Sequence, residues 1–315
     1  MKNDITNVDG VLSRKIKALF LASLLLIFLP FSGAMAYGGP LENSVSMTVE
    51  QLRALPRSAT VIIDTRPAWK YYLGHIPGAV NLPDWRDFTH KVNGVPGLLI
   101  EDAKFIADQL RSLGIDKTKT IVIYGDPADP WRTDGRFFWM FERFGFSSAA
   151  ILTGGLETWK EKDGDVHRGK PDAISPSAIT PADIKLNPQV TADSEWIREQ
   201  SQSDNLAIID NRTRKEYDGA TPYGSVRGGH IPKAIHIPWE EFFTTAGVLK
   251  DKENLLAMLN TKGIGPDREI VVYCTGGVRS GMAYYAFRSL GFKVRNYDGS
   301  WWDWSKNPEL PVELF

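Results

Sequence analysis

Two stretches of this chain carry the same motifs in the same order, about 145–155 residues apart. "VIIDTRPAWKYYLGHIPGAVNLP" (61–83) is matched by "AIIDNRTRKEYDGATPYGSVRGGHIPKAIHIP" (207–238). Each has an apolar triplet, then Asp-x-Arg (Asp64 and Arg66, Asp210 and Arg212), then Gly-His-Ile-Pro, with a longer intervening loop in the second copy. "TIVIYGDPADPWRTDGRFFWMFERFGF" (120–146) is matched by "EIVVYCTGGVRSGMAYYAFRSLGF" (269–292), and "AAILTGGLETWKE" (149–161) by "VRNYDGSWWDWSK" (294–306). Two copies at this spacing are a tandem domain duplication and not a solenoid, which repeats at 20–50 residues. The repeat divides the chain into an N-terminal domain over 45–163 and a C-terminal domain over 190–315. The linker over 164–189 is rich in Pro, Ser and Ala.

Each copy alternates between two kinds of segment. Short β-branched runs such as "VIID", "IVIY", "AIIDN" and "IVVYC" have the continuous apolarity of parallel strands covered on both faces. "EDAKFIADQLRSLG", "KENLLAMLNTKG" and "GMAYYAFRSLG" have helical character, and each ends at a glycine able to take the left-handed C-cap conformation. Alternation of this kind predicts an α/β domain, with helices on both faces of a parallel sheet.

The N-terminus follows a different pattern. Arg14, Lys15 and Lys17 precede the twelve-residue apolar run "ALFLASLLLIFL" (18–29), and "PFSGAMA" ends in Ala34-Met35-Ala36. A basic start, a short apolar core and a small-residue cleavage site describe a secretory signal over residues 1–36. The alternative is an uncleaved anchor, but the run is shorter than the roughly 18–20 residues a membrane-spanning helix needs. The mature chain is therefore expected outside the cytoplasm, in a bacterial periplasm, with no stable membrane span after cleavage. A net charge of −1 without a Lys/Arg-rich run gives no basis for nucleic-acid binding.

Export sharpens the meaning of the single cysteine, Cys274. Exported proteins ordinarily use cysteines in pairs, and one thiol cannot bridge within its own chain. Cys274 is either a small apolar side chain or a reactive group. It follows an apolar strand and precedes Thr275, Gly276, Gly277, Val278 and Arg279, where a helix begins. Ligands of open α/β sheets bind outside the carboxyl ends of strands. The glycines let successive backbone amides point inward as an anion nest, the helix adds its positive end, and Arg279 adds a full charge. Each favours thiolate over thiol, so a lowered pKa is expected. A cysteine phosphatase loop offers a competing reading, but it needs Cys-x5-Arg. The spacing here is Cys-x4-Arg, a tighter cradle suited to a single sulfur atom.

Taken in order, Asp-x-Arg with Gly-His-Ile-Pro in both halves, "VVYCTGGVRS" and "YDGSWWDWSKNPELPV" make the chain resemble the two-domain rhodanese-like sulfurtransferases. The resemblance covers about residues 47–312. It implies two tandem rhodanese-like domains, each a parallel five-stranded sheet flanked by helices. It implies that Cys274 takes a sulfane sulfur from thiosulfate or 3-mercaptopyruvate as a persulfide and passes it to a thiophilic acceptor, cyanide or a thiol. No cofactor and no metal are implied, and five scattered histidines offer no ligand spacing. Where the second copy has Tyr273-Cys274, the first has Tyr124-Gly125, so the N-terminal domain is expected to be inactive and to shape the entrance. Its loop, "DPADPWRTDGR" (126–136), carries three aspartates and looks unsuited to an anion, while Trp131 and Arg132 are candidates to reach across the interface.

The chain departs from the family patterns in ways that leave the donor open. Thiosulfate-type members often carry a further basic residue in the loop, where this chain has Thr275, Gly276 and Gly277. They also often carry arginine before the tyrosine that follows Asp-x-Arg, where this chain has Glu216. Mercaptopyruvate-type loops usually end in Gly-Val-Thr, whereas this one ends in Gly-Val-Arg. Arg279 is expected to bind a sulfonate-like or carboxylate group. Arg212 is a pocket candidate or a structural ion-pair partner, and one of Trp301 and Trp302 is expected to line the pocket while the other packs. His75 and His230 are expected to be structural, and Asp298 to cap the turn before Trp301. A non-catalytic carrier or binder of sulfane sulfur or an oxyanion remains the alternative function.

Overall fold

The structure is a computed structural model, and it describes residues 44–314. The proposed signal segment, 1–36, lies outside the described residues. The first copy folds as β1 (Ser46–Met47), α1 (Val49–Ala54), β2 (Thr60–Asp64), α2 (Ala68–Leu73) and β3 (Ala79–Asn81). A hairpin of β4 (Thr89–Val92) and β5 (Val95–Leu99) follows, then α3 (Ala103–Ser112), β6 (Thr120–Tyr124), α4 (Thr133–Arg143), β7 (Ala149–Leu152) and α5 (Gly155–Glu161). The second copy runs β8 (Thr191–Ala192), α6 (Ser194–Gln200), β9 (Leu206–Asp210), α7 (Arg214–Tyr217) and β10 (Ile235–His236). It closes with α8 (Lys252–Thr261), β11 (Glu269–Tyr273), α9 (Arg279–Ser289), β12 (Val294–Tyr297) and α10 (Ser300–Trp304).

Both copies form a five-stranded sheet, ordered β1-β7-β6-β2-β3 in the first and β8-β12-β11-β9-β10 in the second. All pairings within these sheets are parallel. The two orders are the same topology written twice, as the repeat predicts. The helix-like segments form α3, α8 and α9, and each is followed by a glycine at positive φ (Gly114 at 71°, Gly263 at 74°, Gly291 at 87°). Asp102 and Asp251 start α3 and α8 by accepting the amides of Phe105 and Asn254, which satisfies donors that a helix start leaves open.

The repeated motifs join into one structural unit in each domain. Arg66 forks onto Asp64 and donates to the Gly74 carbonyl at 2.7 Å. Arg212 forks onto Asp210 and donates to the Gly229 carbonyl at 2.7 Å. The central-strand tyrosines complete the clamp: Tyr124 donates to Asp64 at 2.7 Å and Tyr273 to Asp210 at 2.6 Å. Each tyrosine oxygen also accepts the amide of the following turn, from Ile76 and Ile231. His75 stacks on Tyr71 and His230 on Tyr217, both with ring centroids 3.7 Å apart. Asp-x-Arg and Gly-His-Ile-Pro therefore recur together because a buried charge is tolerable only when paired and hydrogen-bonded, and this geometry meets both needs.

The domains share a core. One apolar cluster runs from Ile121 and Phe137 in the first copy to Ile270 and Ala283 in the second, while smaller clusters fill the outer face of each sheet. The shared cluster is centred on α4 and α9, which are buried along nearly their whole lengths. They touch at equivalent glycines. A Cβ on Gly135 would lie 2.6 Å from the Met282 amide nitrogen, and one on Gly281 would lie 2.7 Å from that of Arg136. The segment at 164–189 is packed against the N-terminal domain: His167 bridges to His75, and Ile179 and Ile184 are buried. Among the described residues no helix is long and apolar enough to cross a membrane.

Candidate active site

Cys274 immediately follows β11, the central strand of its sheet. Its backbone is fixed from below: its amide donates to Ser300 Oγ at 3.2 Å, and its carbonyl accepts the Trp301 amide at 3.1 Å. The Trp302 amide donates to the Thr275 carbonyl at 2.9 Å. The short turn before α10 thus seats the cysteine loop. Gly277, at φ 74°, needs to be glycine, and Gly276 has no room for a Cβ, which would fall 2.3 Å from the Trp302 ring.

The thiol is 1% exposed and forms part of the wall of a cavity of about 320 Å³. Burial opposes the thiolate. The Arg279 charge, the Ser280 amide and hydroxyl, and the Gly276 amide overcome it, and the pKa is lowered from its ordinary value. Ser280 Oγ lies 3.6 Å from Sγ and 2.7 Å from Asn296 Oδ1. A hydroxyl has one proton, so Ser280 donates to either sulfur or amide. The thiolate, a charged acceptor, draws that proton more strongly than a neutral thiol does. Asn296 is oriented by its own bond to the Gly277 carbonyl at 3.2 Å.

Arg279 is engaged before any ligand arrives. Its two terminal nitrogens donate to the Glu216 carboxylate, each at 2.8 Å, and one also donates to Thr275 Oγ1 at 2.6 Å. Thr275 in turn donates to Glu216 at 2.7 Å. Although burial favours the neutral acid, Arg279, Thr275 and Thr213 bring the Glu216 carboxyl down to about 2. Arg279 therefore acts on the thiolate through its field, while its bidentate capacity goes to Glu216 instead of the expected sulfonate or carboxylate. Glu216 was missed as a site residue. The repeat held the signal: Lys70, its counterpart, pairs with Asp126, the counterpart of Thr275. The same two positions carry an ion pair in the first copy and a hydrogen bond, Thr275 to Glu216, in the second.

The remaining candidates separate cleanly. Thr275, Gly276, Val278 and Arg279 line the cavity with Cys274, while Gly277 shapes the loop behind it. Trp302 lines the cavity, and Trp301 is fully buried, with the Arg212 guanidinium 4.4 Å from its ring centroid. Arg212 is not a cavity residue: its fork is closed on Asp210 and its remaining reach on Gly229, so it is structural. Asp298 does not cap its turn. Its Oδ1 pairs with Arg136 at 2.6 Å and its Oδ2 accepts the Leu99 amide at 2.9 Å, which ties the two domains together. Arg136, fully buried, also donates to the Gly277 carbonyl at 3.2 Å and the Gly97 carbonyl at 3.0 Å.

The N-terminal domain also supplies cavity wall: Trp85, Arg86, Asp129, Trp131 and Thr133. Trp131 meets Tyr223 edge to face at 5.3 Å, and both rings lie within 6 Å of the Arg279 guanidinium. Arg132 crosses the interface to the Gly247 carbonyl at 2.9 Å while paired with Asp134. In the first copy two of the loop's amides are taken by its own carboxylates, since Asp126 accepts from Ala128 and Asp129 from Trp131. Trp131 and Arg132 thus both reach across the interface, as expected from the sequence, while Trp85 and Ser280 carried no pattern that distinguished them beyond, for Ser280, its place directly after Arg279.

The chain is similar to known proteins of one family. The rhodanese-like domain model matches twice, at residues 48–162 and 193–307. The thiosulfate sulfurtransferase of Pseudomonas aeruginosa is 31% identical over 276 residues, covering 86% of this chain and 98% of that protein. The 3-mercaptopyruvate sulfurtransferase of Escherichia coli K12 is 31% identical over 257 residues, covering 79% of this chain and 87% of that protein. The crystal structure of SseA from Escherichia coli, a 3-mercaptopyruvate sulfotransferase with the rhodanese fold, superposes with a TM-score of 0.71 at 26% identity. It covers 82% of this chain and 99% of its own.

Proposed function

Because this chain belongs to the rhodanese-like family, we propose that it is a sulfurtransferase that carries sulfane sulfur on Cys274. The observation that carries this reading is the position of Sγ in the cavity wall, with the Arg279 charge, the Ser280 amide and hydroxyl and the Gly276 amide all favouring its thiolate. A thiolate is the nucleophile of sulfur exchange. With thiosulfate, Sγ attacks the outer sulfur. A new S–S bond forms, the S–S bond of the donor breaks, and sulfite departs with the electron pair. With 3-mercaptopyruvate, Sγ takes the sulfur as the C–S bond breaks, and the carbon fragment leaves with the electron pair and gains a proton as pyruvate. The outer sulfur of the persulfide is then attacked by cyanide or a thiol, and the electron pair returns to Sγ.

The loop's role is to hold negative charge on sulfur in both halves of the cycle, as preorganised amides do in other sites of developing charge. Sequence similarity to a thiosulfate enzyme and to a 3-mercaptopyruvate enzyme supports both donors. The basic segment, short apolar run and Ala-Met-Ala of the N-terminus support export to a periplasm; cell fractionation that finds the protein in the cytoplasm refutes that part. Turnover is tested with thiosulfate or 3-mercaptopyruvate as donor and cyanide as acceptor. Wild type is expected to be active with at least one donor and Cys274→Ser with neither. Wild type inactive with both, or an active serine variant, overturns the proposal. Persulfide loading without turnover identifies the non-catalytic carrier instead.

A further inference from the structure

The cavity carries one charge that the chemistry above leaves unused. Asp129 comes from the N-terminal loop that stands where the other copy has its cysteine loop, and it lines the cavity with Trp131 and Thr133. Its Oδ1 accepts the Trp131 amide at 3.0 Å, and among the described residues no cation pairs with it. The cavity's two cations are each balanced already. Arg279 is held bidentate by Glu216, and Arg86 sits 3.2 Å from Asp84 in a largely exposed pair. With Cys274 as thiolate or persulfide and the two arginines set against Glu216 and Asp84, Asp129 is the cavity's carboxylate without an ion-pair partner among the described residues. The cavity's other surfaces are the aromatic rings of Trp85, Trp131, Tyr223 and Trp302, of which the first three already lie within 6 Å of an arginine guanidinium. Burial, reinforced by Asp134 and Asp126 and opposed by the Trp131 amide and the Arg132 charge, raises the Asp129 carboxyl above its usual value; Arg132 itself is ion-paired with Asp134.

We infer that Asp129 selects the sulfur acceptor by charge, favouring a thiol with an ammonium group close to its sulfur and disfavouring an anionic thiol. This rests on the sulfurtransferase reading. The acceptor thiolate attacks the outer sulfur of the Cys274 persulfide, a new S–S bond forms as the enzyme's S–S bond breaks, and the electron pair returns to Sγ. An ammonium group beside the attacking sulfur is attracted by Asp129 during the approach, and a carboxylate in the same place is repelled.

The test compares cysteamine, 2-mercaptoethanol and mercaptoacetate as acceptors for the preloaded persulfide, in wild type and Asp129→Asn. The variant keeps an oxygen for the Trp131 amide. Taking the variant-to-wild-type ratio for each thiol cancels the thiols' own differences in reactivity. The rate with cysteamine should fall about threefold or more, that with mercaptoacetate should rise by a similar factor, and that with 2-mercaptoethanol should lie between. One common ratio for all three overturns the inference. A second measurement needs no sulfur transfer. Cys274 is the only cysteine, so its alkylation by iodoacetate relative to iodoacetamide reads the charge of the cavity alone. Asp129→Asn should raise that ratio about threefold, and an unchanged ratio overturns the inference. Failure of every donor to load the persulfide would sink the sulfurtransferase reading, while the alkylation ratio still decides the role of Asp129.

Discussion

Replacing Arg279 by methionine separates what the Arg279–Glu216 pair does for the fold from what it does for the thiol. The pair is buried, with side chains 6% and 4% exposed and a closest approach of 2.8 Å. Arg279→Met leaves the Glu216 carboxylate without its cation, and stranding a buried charge typically costs about 3–5 kcal/mol. The depressed Glu216 carboxyl gives a consistent figure: the difference between 4.5 and about 2 is worth about 3 kcal/mol at neutral pH. The double variant Arg279→Met, Glu216→Gln removes both charges and keeps a side chain able to complete the Thr213 capping box. It should recover about 2 kcal/mol of the loss. The thiol behaves differently. Both variants lack the cation that favours the thiolate, so both should raise the Cys274 pKa, the double variant less because the Glu216 anion is gone as well. Glu216→Gln alone should lower it, because Arg279 then acts unopposed. Urea unfolding gives the stabilities, and the pH dependence of iodoacetamide alkylation gives the thiol pKa. A double variant no more stable than Arg279→Met, or one whose thiol returns to the wild-type pKa, would refute this reasoning.

Other substitutions probe the same site from different sides. Ser280→Ala removes the hydroxyl 3.6 Å from Sγ, and should raise the thiol pKa by less than Arg279→Met does. It should slow donor loading about three- to tenfold, measured by stopped-flow persulfide formation. Gly276→Ala places a methyl group 2.3 Å from the Trp302 ring, so Trp302 or the loop must move; an overpacking cost of about 1–3 kcal/mol and at least a tenfold fall in kcat/KM are expected. Arg136→Met lies in the N-terminal domain, yet it removes a bond to Gly277 and strands Asp298. It should cost about 3 kcal/mol in thermal or urea unfolding and reduce activity although it touches no substrate. The Glu216 carboxyl is depressed in the fold, so its contribution is complete above pH 4.5 and is lost as pH falls toward about 2. Acid titration of stability should be shallower in the Arg279→Met variant over that window.

Much of this molecule was readable because its informative features are local or repeated. The β-branched runs became the central strands, the glycine-terminated segments became α3, α8 and α9, and the duplicated order became two sheets of one topology. The cysteine loop was also legible, since strand end, glycines, arginine and helix start are contiguous. What escaped joins residues far apart in sequence. Glu216 meets Arg279 across most of a domain, and Asp298 meets Arg136 across the interface between domains. Neither contact leaves a periodicity. Arg212 stood undecided between pocket and structure because its Asp-x-Arg motif shows charge but not direction; only the bond to the Gly229 carbonyl shows that the fork turns inward. The exchange of Lys70 and Asp126 for Glu216 and Thr275 was visible in the repeat, but it becomes meaningful only once both pairs are known to be in contact.

The most direct test of the central claim is the intact mass of the protein after exposure to thiosulfate or 3-mercaptopyruvate under non-reducing conditions. A gain of about 32 Da, one sulfur atom, is expected on Cys274, removed by cyanide and absent from Cys274→Ser. A protein that turns over donor and acceptor without that adduct, or a serine variant that gains it, would contradict the account.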